Sequence, residues 1–494
     1  MKQRMKNPIR RRMKKKRNNC IACAVIAALL CLLCACGGPA SPGPDGQAPN
    51  GQGTDGGNAF SSEAPGLTAG TAGSGGDLIP LSRGTDKGCY TMGEKDGNLL
   101  LCYVDYDLAM ETPLCAQPSC SHDSDACTAF VEPEKSAWNP RTGDGSAIFF
   151  QMIDRETGSG EIWTADPDGS NRRILEPVSS GAGVPSLAAE DGVFLYYFYT
   201  FEPEENGQAP GSEVRLARVP ITGGESEELF AWEDYGTGAN YQFLGVSGRE
   251  IAINRYDWGD PMDMFIEVPD DTPPEEREAI IDAQLEQQKQ ITGHHSVLLV
   301  NVDTGVQREL AVWTSNLGSA GRSLLWENGR LYWCDDKTCG PIHWQDVDGQ
   351  SGELSAMPEK INDEDPVYTL CRVVQGKLLA DCYGFKADTC SRWAIDLSGD
   401  PADGNPAGSA EALTIRYVHN VSERPVRIEA QGEAGLLVQY EETAEYSTGF
   451  YEDDGTPRTN LSVTSRYGMI SYEDYFANRP NYRPVEMPYG FRPE

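Results

Sequence analysis

The chain has 494 residues, with 75 Asp and Glu against 41 Lys and Arg, a formal charge of −34. A surface this acidic is repelled by nucleic acid and by anionic lipid, which excludes a nucleic-acid-binding role. The charge is unevenly spread. Residues 1–19 carry ten Lys and Arg and no acid, so the rest holds 31 basic residues against 75 acids, or −44.

The basic start leads into an apolar run of 16 residues, Cys20 to Ala35. A bilayer-spanning helix needs about 20, so this length suits the h-region of a signal peptide better than a membrane span. The run ends Leu33-Cys34-Ala35-Cys36-Gly37. This resembles the lipobox of bacterial lipoproteins, which implies a signal peptide over 1–35 and a lipid anchor on Cys36. The chain would then sit at the outer face of the cell membrane. An uncleaved anchor helix is the alternative. From Gly37 to Gly76 the sequence holds 13 glycines in 40 residues and almost nothing apolar. Such a segment stays disordered and, as a coil, reaches about 35 Å, so 36–76 reads as a tether.

Residues 77–494 read as one repetitive domain. Short apolar strands follow turn glycines at Gly97, Gly145, Gly192, Gly248, Gly329, Gly376 and Gly435, spaced 48, 47, 56, 81, 47 and 59 apart. A second set of strands ends in Asp-Gly or Thr-Gly turns, as in EIWTADPDGSNRRIL from Glu161 and VLLVNVDTGVQREL from Val297. Alternating strands joined by such turns are hairpins, and four strands every 40–50 residues make a propeller blade. The expected fold is all-β: a β-propeller of about seven four-stranded blades, with six or eight as alternatives and a β-sandwich array as the competing architecture. Ring closure is expected to pair a strand near Leu78–Ser82 with the last blade near Tyr467–Tyr472. The spacing of 81 contains PDDTPPEEREAIIDAQLEQQKQITG from Pro269. Its prolines and acids at the front and its glycine at the end predict a helix within about 271–292, inserted between two strands. Ile280, Ile281 and Leu285 would give it a narrow apolar stripe.

IWTADPDGSNRRIL is similar to the repeat of TolB-like propellers. The Cys-rich stretch from Leu99 to Phe130 and the closing YGMISYEDYFANRPNYRPVEM resemble segments of TolB-like β-propeller lipoproteins of Clostridia-type Firmicutes. The resemblance implies a fold and a location, not an activity.

One constellation carries chemistry: Cys115-x4-Cys120-x-His122-x4-Cys127. Three thiols and an imidazole suit a tetrahedral zinc site, although the spacing is not that of a standard finger. Disulfides are the competing reading, because ten cysteines lie beyond Cys36 in an exported chain. Cys334 with Cys339, and Cys382 with Cys390, are candidates to close small hairpins. The anaerobic host that the resemblance implies weakens that reading. The adjacent His294 and His295 are expected in an exposed loop.

No Gly-x-Ser-x-Gly elbow, His-Glu-x-x-His helix or P-loop occurs. Two functions from different classes remain. One is a non-catalytic binding or scaffold propeller at the cell surface, with a protein, peptide or glycan as ligand. The other is a surface enzyme acting on glycan or peptide at the propeller channel.

Overall fold

Runs such as Phe194–Tyr199 and Ile251–Ile253 are continuously apolar because both of their faces are covered. Alternate side chains of a strand point to opposite faces. Ile251 and Ile253 therefore pack towards one neighbouring sheet, and Ala252 between them packs towards the other. A ring of stacked sheets meets this requirement at every blade.

The computed structural model describes residues 75–177, 185–201, 212–234, 240–257, 272–288, 290–316, 322–334, 341–356, 367–384, 389–397, 410–419, 424–451 and 457–490. The signal-peptide, lipid-attachment and most of the tether expectations fall on residues outside these, as does Cys339. Within them the chain forms a seven-bladed β-propeller. Blade one holds Gly84–Thr85, Gly88–Lys95, Asn98–Asp105 and Met110–Pro113, and blade two runs from Lys135 to Pro177. Blade three is Ser186–Asp234, joined at its inner edge by Ile79–Pro80. Blades four, five and six span 240–316, 323–356 and 367–413. Blade seven is Arg427–Gln431, Gly435–Tyr451, Pro457–Ser471 and Arg483–Val485.

The glycine repeat marks the hairpin between the first two strands of blades two to six, and in blade one that between Gly88–Lys95 and Asn98–Asp105. Gly97, Gly145, Gly192, Gly248, Gly329 and Gly376 all have positive φ, between 55° and 85°. Gly435 is the exception: it starts its strand, where a Cβ would lie 2.1 Å from the Ile470 carbonyl oxygen.

Among the described residues, each of the seven blade–blade interfaces carries one apolar cluster. The one between blades seven and one is built from Cys89, Val104, Tyr106, Ala430, Leu437, Tyr467, Met469 and Val485. The ring thus closes by packing, and the expected pairing of chain ends does not occur. Ile79 and Pro80 pair instead with Glu190 and Ala189. Leu78 is drawn into the cluster between blades three and four, and Leu81 into that between blades two and three. The Tyr467–Ser471 strand has no open edge to offer, since strands of its own blade flank it on both sides. The last residues act as a latch: Glu486 exchanges backbone hydrogen bonds with Ala109 and Glu111 of blade one, and the Tyr489 carbonyl accepts from the Glu94 N–H.

The inserted helix spans Pro274–Gln288, between the second and third strands of blade four. Ile281 is exposed on it. No helix among the described residues is long and apolar enough to cross a membrane. His294 and His295 are not in a loop, because the third strand of blade four already begins at Thr292. His295 is buried, stacked on Trp313, with Nε2 2.6 Å from Ser315 Oγ.

Candidate metal centre and channel pocket

The outermost strand of blade one is broken in two. Met110–Pro113 pairs with Cys102–Asp105, and the Leu114 N–H still donates to the Leu101 carbonyl. The chain then leaves the sheet and returns at Ala129–Val131, where Leu101 N–H donates to Ala129 O and Val131 N–H to Leu99 O. Cys115 stands at the exit, Cys127 at the return, and Cys120 and His122 between them. Thr128 Oγ1 donates to Leu114 O at 2.7 Å, closing the neck. Arg172 of blade two holds the return strand through Phe130 O at 2.6 Å, with its guanidinium over the Trp163 ring.

The structure brings the four sequence candidates together. One ligand atom from each of Cys115, Cys120, His122 and Cys127 lies within 4.8 Å of all the others. His122 Nδ1 is 3.2 Å from Cys127 Sγ. Burial pushes the Cys127 thiol up to about 12. Burial also opposes ionisation of Cys115, but hydrogen bonds from the Gln117 backbone and the neighbouring thiols hold it below the ordinary thiol value. Burial, then the charge of Lys95, lowers His122 and favours the neutral imidazole that a metal requires.

The suggested Cys382–Cys390 hairpin disulfide is not formed. Cys390 stands directly opposite Tyr383, so it shares a face with Tyr383, and Cys382 points from the other face. A disulfide requires Cβ atoms that approach each other, which this register forbids. Cys334 is buried, and its suggested partner Cys339 lies outside the described residues.

A second site was missed in the sequence. A cavity of about 290 Å³ opens where the first strands of blades six and seven meet the entry to blade one, lined by Arg83, Cys371, Arg372, Arg392, Arg427, Ile428 and Glu429. The four arginines come from distant parts of the chain, so no motif announces them. The one local signal was Arg372, a cation inside the apolar run Leu370–Val374. Arg392 is clamped by Asp381. Glu429 lies 3.7 Å from Arg83 and 3.0 Å from Arg427. The Arg372 side chain makes no hydrogen bond or ion pair with a described residue. Burial, then repulsion from Arg392, lowers its pKa, so the pocket works against its own charge. Burial pushes the Cys371 thiol up to about 12, which leaves it a poor nucleophile near neutral pH.

No family model matches the sequence, and no curated protein matches it. Solved structures align with the chain at low identity. A prolyl endopeptidase aligns over 79% of this chain and 54% of its own, with 10% identity and a TM-score of 0.44. The oligogalacturonate lyase of Vibrio parahaemolyticus aligns over 78% and 90%, with 12% identity and a TM-score of 0.38. The β-propeller domain of the trilobed protease from Pyrococcus furiosus aligns over 69% and 84%, with 12% identity and a TM-score of 0.34. The chain spans about half of the endopeptidase, and none of these likenesses carries an activity across.

Proposed function

We propose that this chain is an exported lipoprotein of the TolB-like propeller kind, anchored through Cys36, whose propeller binds an acidic ligand without turning it over. The observation that supports the reading is the channel pocket: four arginines set against Glu429 and Asp381, in a chain whose formal charge is −34. Acidic residues elsewhere keep the protein soluble, while a confined cationic pocket selects anionic groups. The planar guanidinium of Arg372, with its donors uncommitted, matches a carboxylate presented by a glycan or peptide. A catalytic reading lacks its parts here. Glu429 is engaged by two arginines, and Cys371 is held as the thiol.

Equilibrium binding of uronic-acid oligosaccharides and Glu-rich peptides to the full chain tests this. Binding that weakens with salt and falls at least about tenfold in Arg372→Gln is the expected result, since a charge-assisted bidentate contact contributes about 1.5–3 kcal/mol. Binding unchanged in Arg372→Gln and Arg83→Gln, or turnover of the bound ligand, would overturn it.

A further inference from the structure

We infer that Cys115, Cys120, His122 and Cys127 hold one structural zinc ion that staples the interruption in the outer strand of blade one. Four donors around a tetrahedral zinc at about 2.3 Å (sulfur) and 2.0–2.1 Å (nitrogen) stand roughly 3.5–3.8 Å apart. The four donor atoms here already fall within 4.8 Å of one another, and the imidazole nitrogen facing the sulfurs is Nδ1. Three soft sulfurs and one imidazole in a closed set suit zinc and leave no position for a reactive water. The site is therefore structural, and it stands apart from the channel reading.

The local fold supplies the second argument. Between Cys115 and Cys127 no side chain is fully buried, and Ala116–Ser119 and Asp123–Ala126 are exposed. Apolar burial cannot order this excursion, yet the chain re-enters the sheet in register at Ala129–Val131. Ser119 and His122 hold left-handed backbone, φ 60° and 59°, which is uncommon for non-glycine residues. Metal coordination through the flanking Cys120 and through His122 itself would hold that turn. Disulfide pairing does not account for the set: any pair among three thiols leaves the third facing the imidazole alone. On binding, three thiols release three protons, and Zn²⁺ with three thiolates and one neutral imidazole makes a site of net charge −1. Lys95, whose Nζ donates to Ser121 O at 2.9 Å, lies beside that charge.

The experiment is elemental analysis by mass spectrometry of the full chain, extracted from membranes without chelator or reductant. One zinc per chain is expected, falling below about a tenth of an equivalent in Cys120→Ser and in His122→Ala. If those variants fail to fold, exchange of the wild-type metal for Co²⁺ reports the ligands directly, through thiolate charge-transfer bands and the intense visible bands of tetrahedral cobalt. Chelator treatment of the wild type should speed hydrogen exchange at 114–131 at least about tenfold. A metal-free chain with three free thiols, a disulfide within the cluster, or a full equivalent of zinc kept by a Cys120→Ser/His122→Ala double variant would each overturn the assignment.

Discussion

Arg392 and Asp381 stand directly opposite each other on adjacent strands of blade six and form a two-pronged ion pair, Nε to Oδ1 at 2.6 Å and Nη2 to Oδ2 at 2.8 Å. Both side chains are about nine-tenths buried. Arg392 Nη1 also donates to Val426 O at 2.7 Å, so the pair joins blade six to blade seven. Removing one partner of a buried pair leaves an uncompensated charge, at a cost of about 3–5 kcal/mol. Asp381→Asn should lower the urea midpoint accordingly, and Asp381→Leu/Arg392→Leu should lower it much less. An Asp381→Asn loss under about 1 kcal/mol would show that Arg392 is served by other groups.

The C-terminal latch should titrate. Glu111 is 1% exposed, its Oε1 has no partner, and its Oε2 accepts the Tyr489 N–H at 2.9 Å. Burial raises the carboxyl from 4.5 to about 7, in spite of that N–H. The folded state therefore keeps a proton that the unfolded chain has released. The contribution is complete below about pH 4.5 and is lost as the pH rises through about 7. Glu111→Gln is neutral throughout and keeps an acceptor for Tyr489. Its melting temperature relative to wild type should rise between pH 4.5 and pH 8. An offset equal at both pH values would contradict a protonated Glu111.

Gly245 sits in a bulge of blade four, and a Cβ there would lie 2.2 Å from Trp326 Cδ1 of blade five. The indole is fixed by its Nε1 hydrogen bond to Val246 O at 3.0 Å, so it cannot move aside freely. Gly245→Ala should cost about 1–3 kcal/mol as an overpacked contact. In a Trp326→Leu background the same alanine has room, and a cost as large as in the wild type would place the strain elsewhere.

Cys36→Ala tests the anchor. Wild-type chain should take up labelled fatty acid and sediment with membranes. The variant should lose the label and either leave the membrane or keep its signal peptide. Persistent label in the variant would move the lipid, or remove it from the account.

The blades were legible because their requirement repeats: a positive-φ glycine at one hairpin and an apolar strand after it, six times in the same conformation. The helix was legible from its prolines and acids; Gly293, read as its stop, lies instead in the following strand Thr292–Asn301. Cys115, Cys120, His122 and Cys127 were legible because all four fall within thirteen residues. Closure was not legible. Leu78 and Leu81 are ordinary apolar residues, and only the ring decides which interfaces they enter. His295 was misread because a polar pair beside a helix stop looks like loop, and nothing local reveals Trp313 or Ser315 as its partners. The arginine pocket was hidden for the same reason: Arg83 and Arg427 are 344 positions apart.

The N-terminal segment has a mechanical consequence. Gly76 is bonded to Asp191 and Arg249, Leu78 to Gly248, Leu81 to Ala188, and Ser82 bridges Thr142. These contacts belong to blades four, three and two, so a pull on the chain before Gly75 is shared among three blades. The seam between blades seven and one, held by packing and by the latch, lies beyond the last of these contacts and bears little of that load. Tension arriving from the N-terminal side would reach the disk through its middle, and the seam would stay shut.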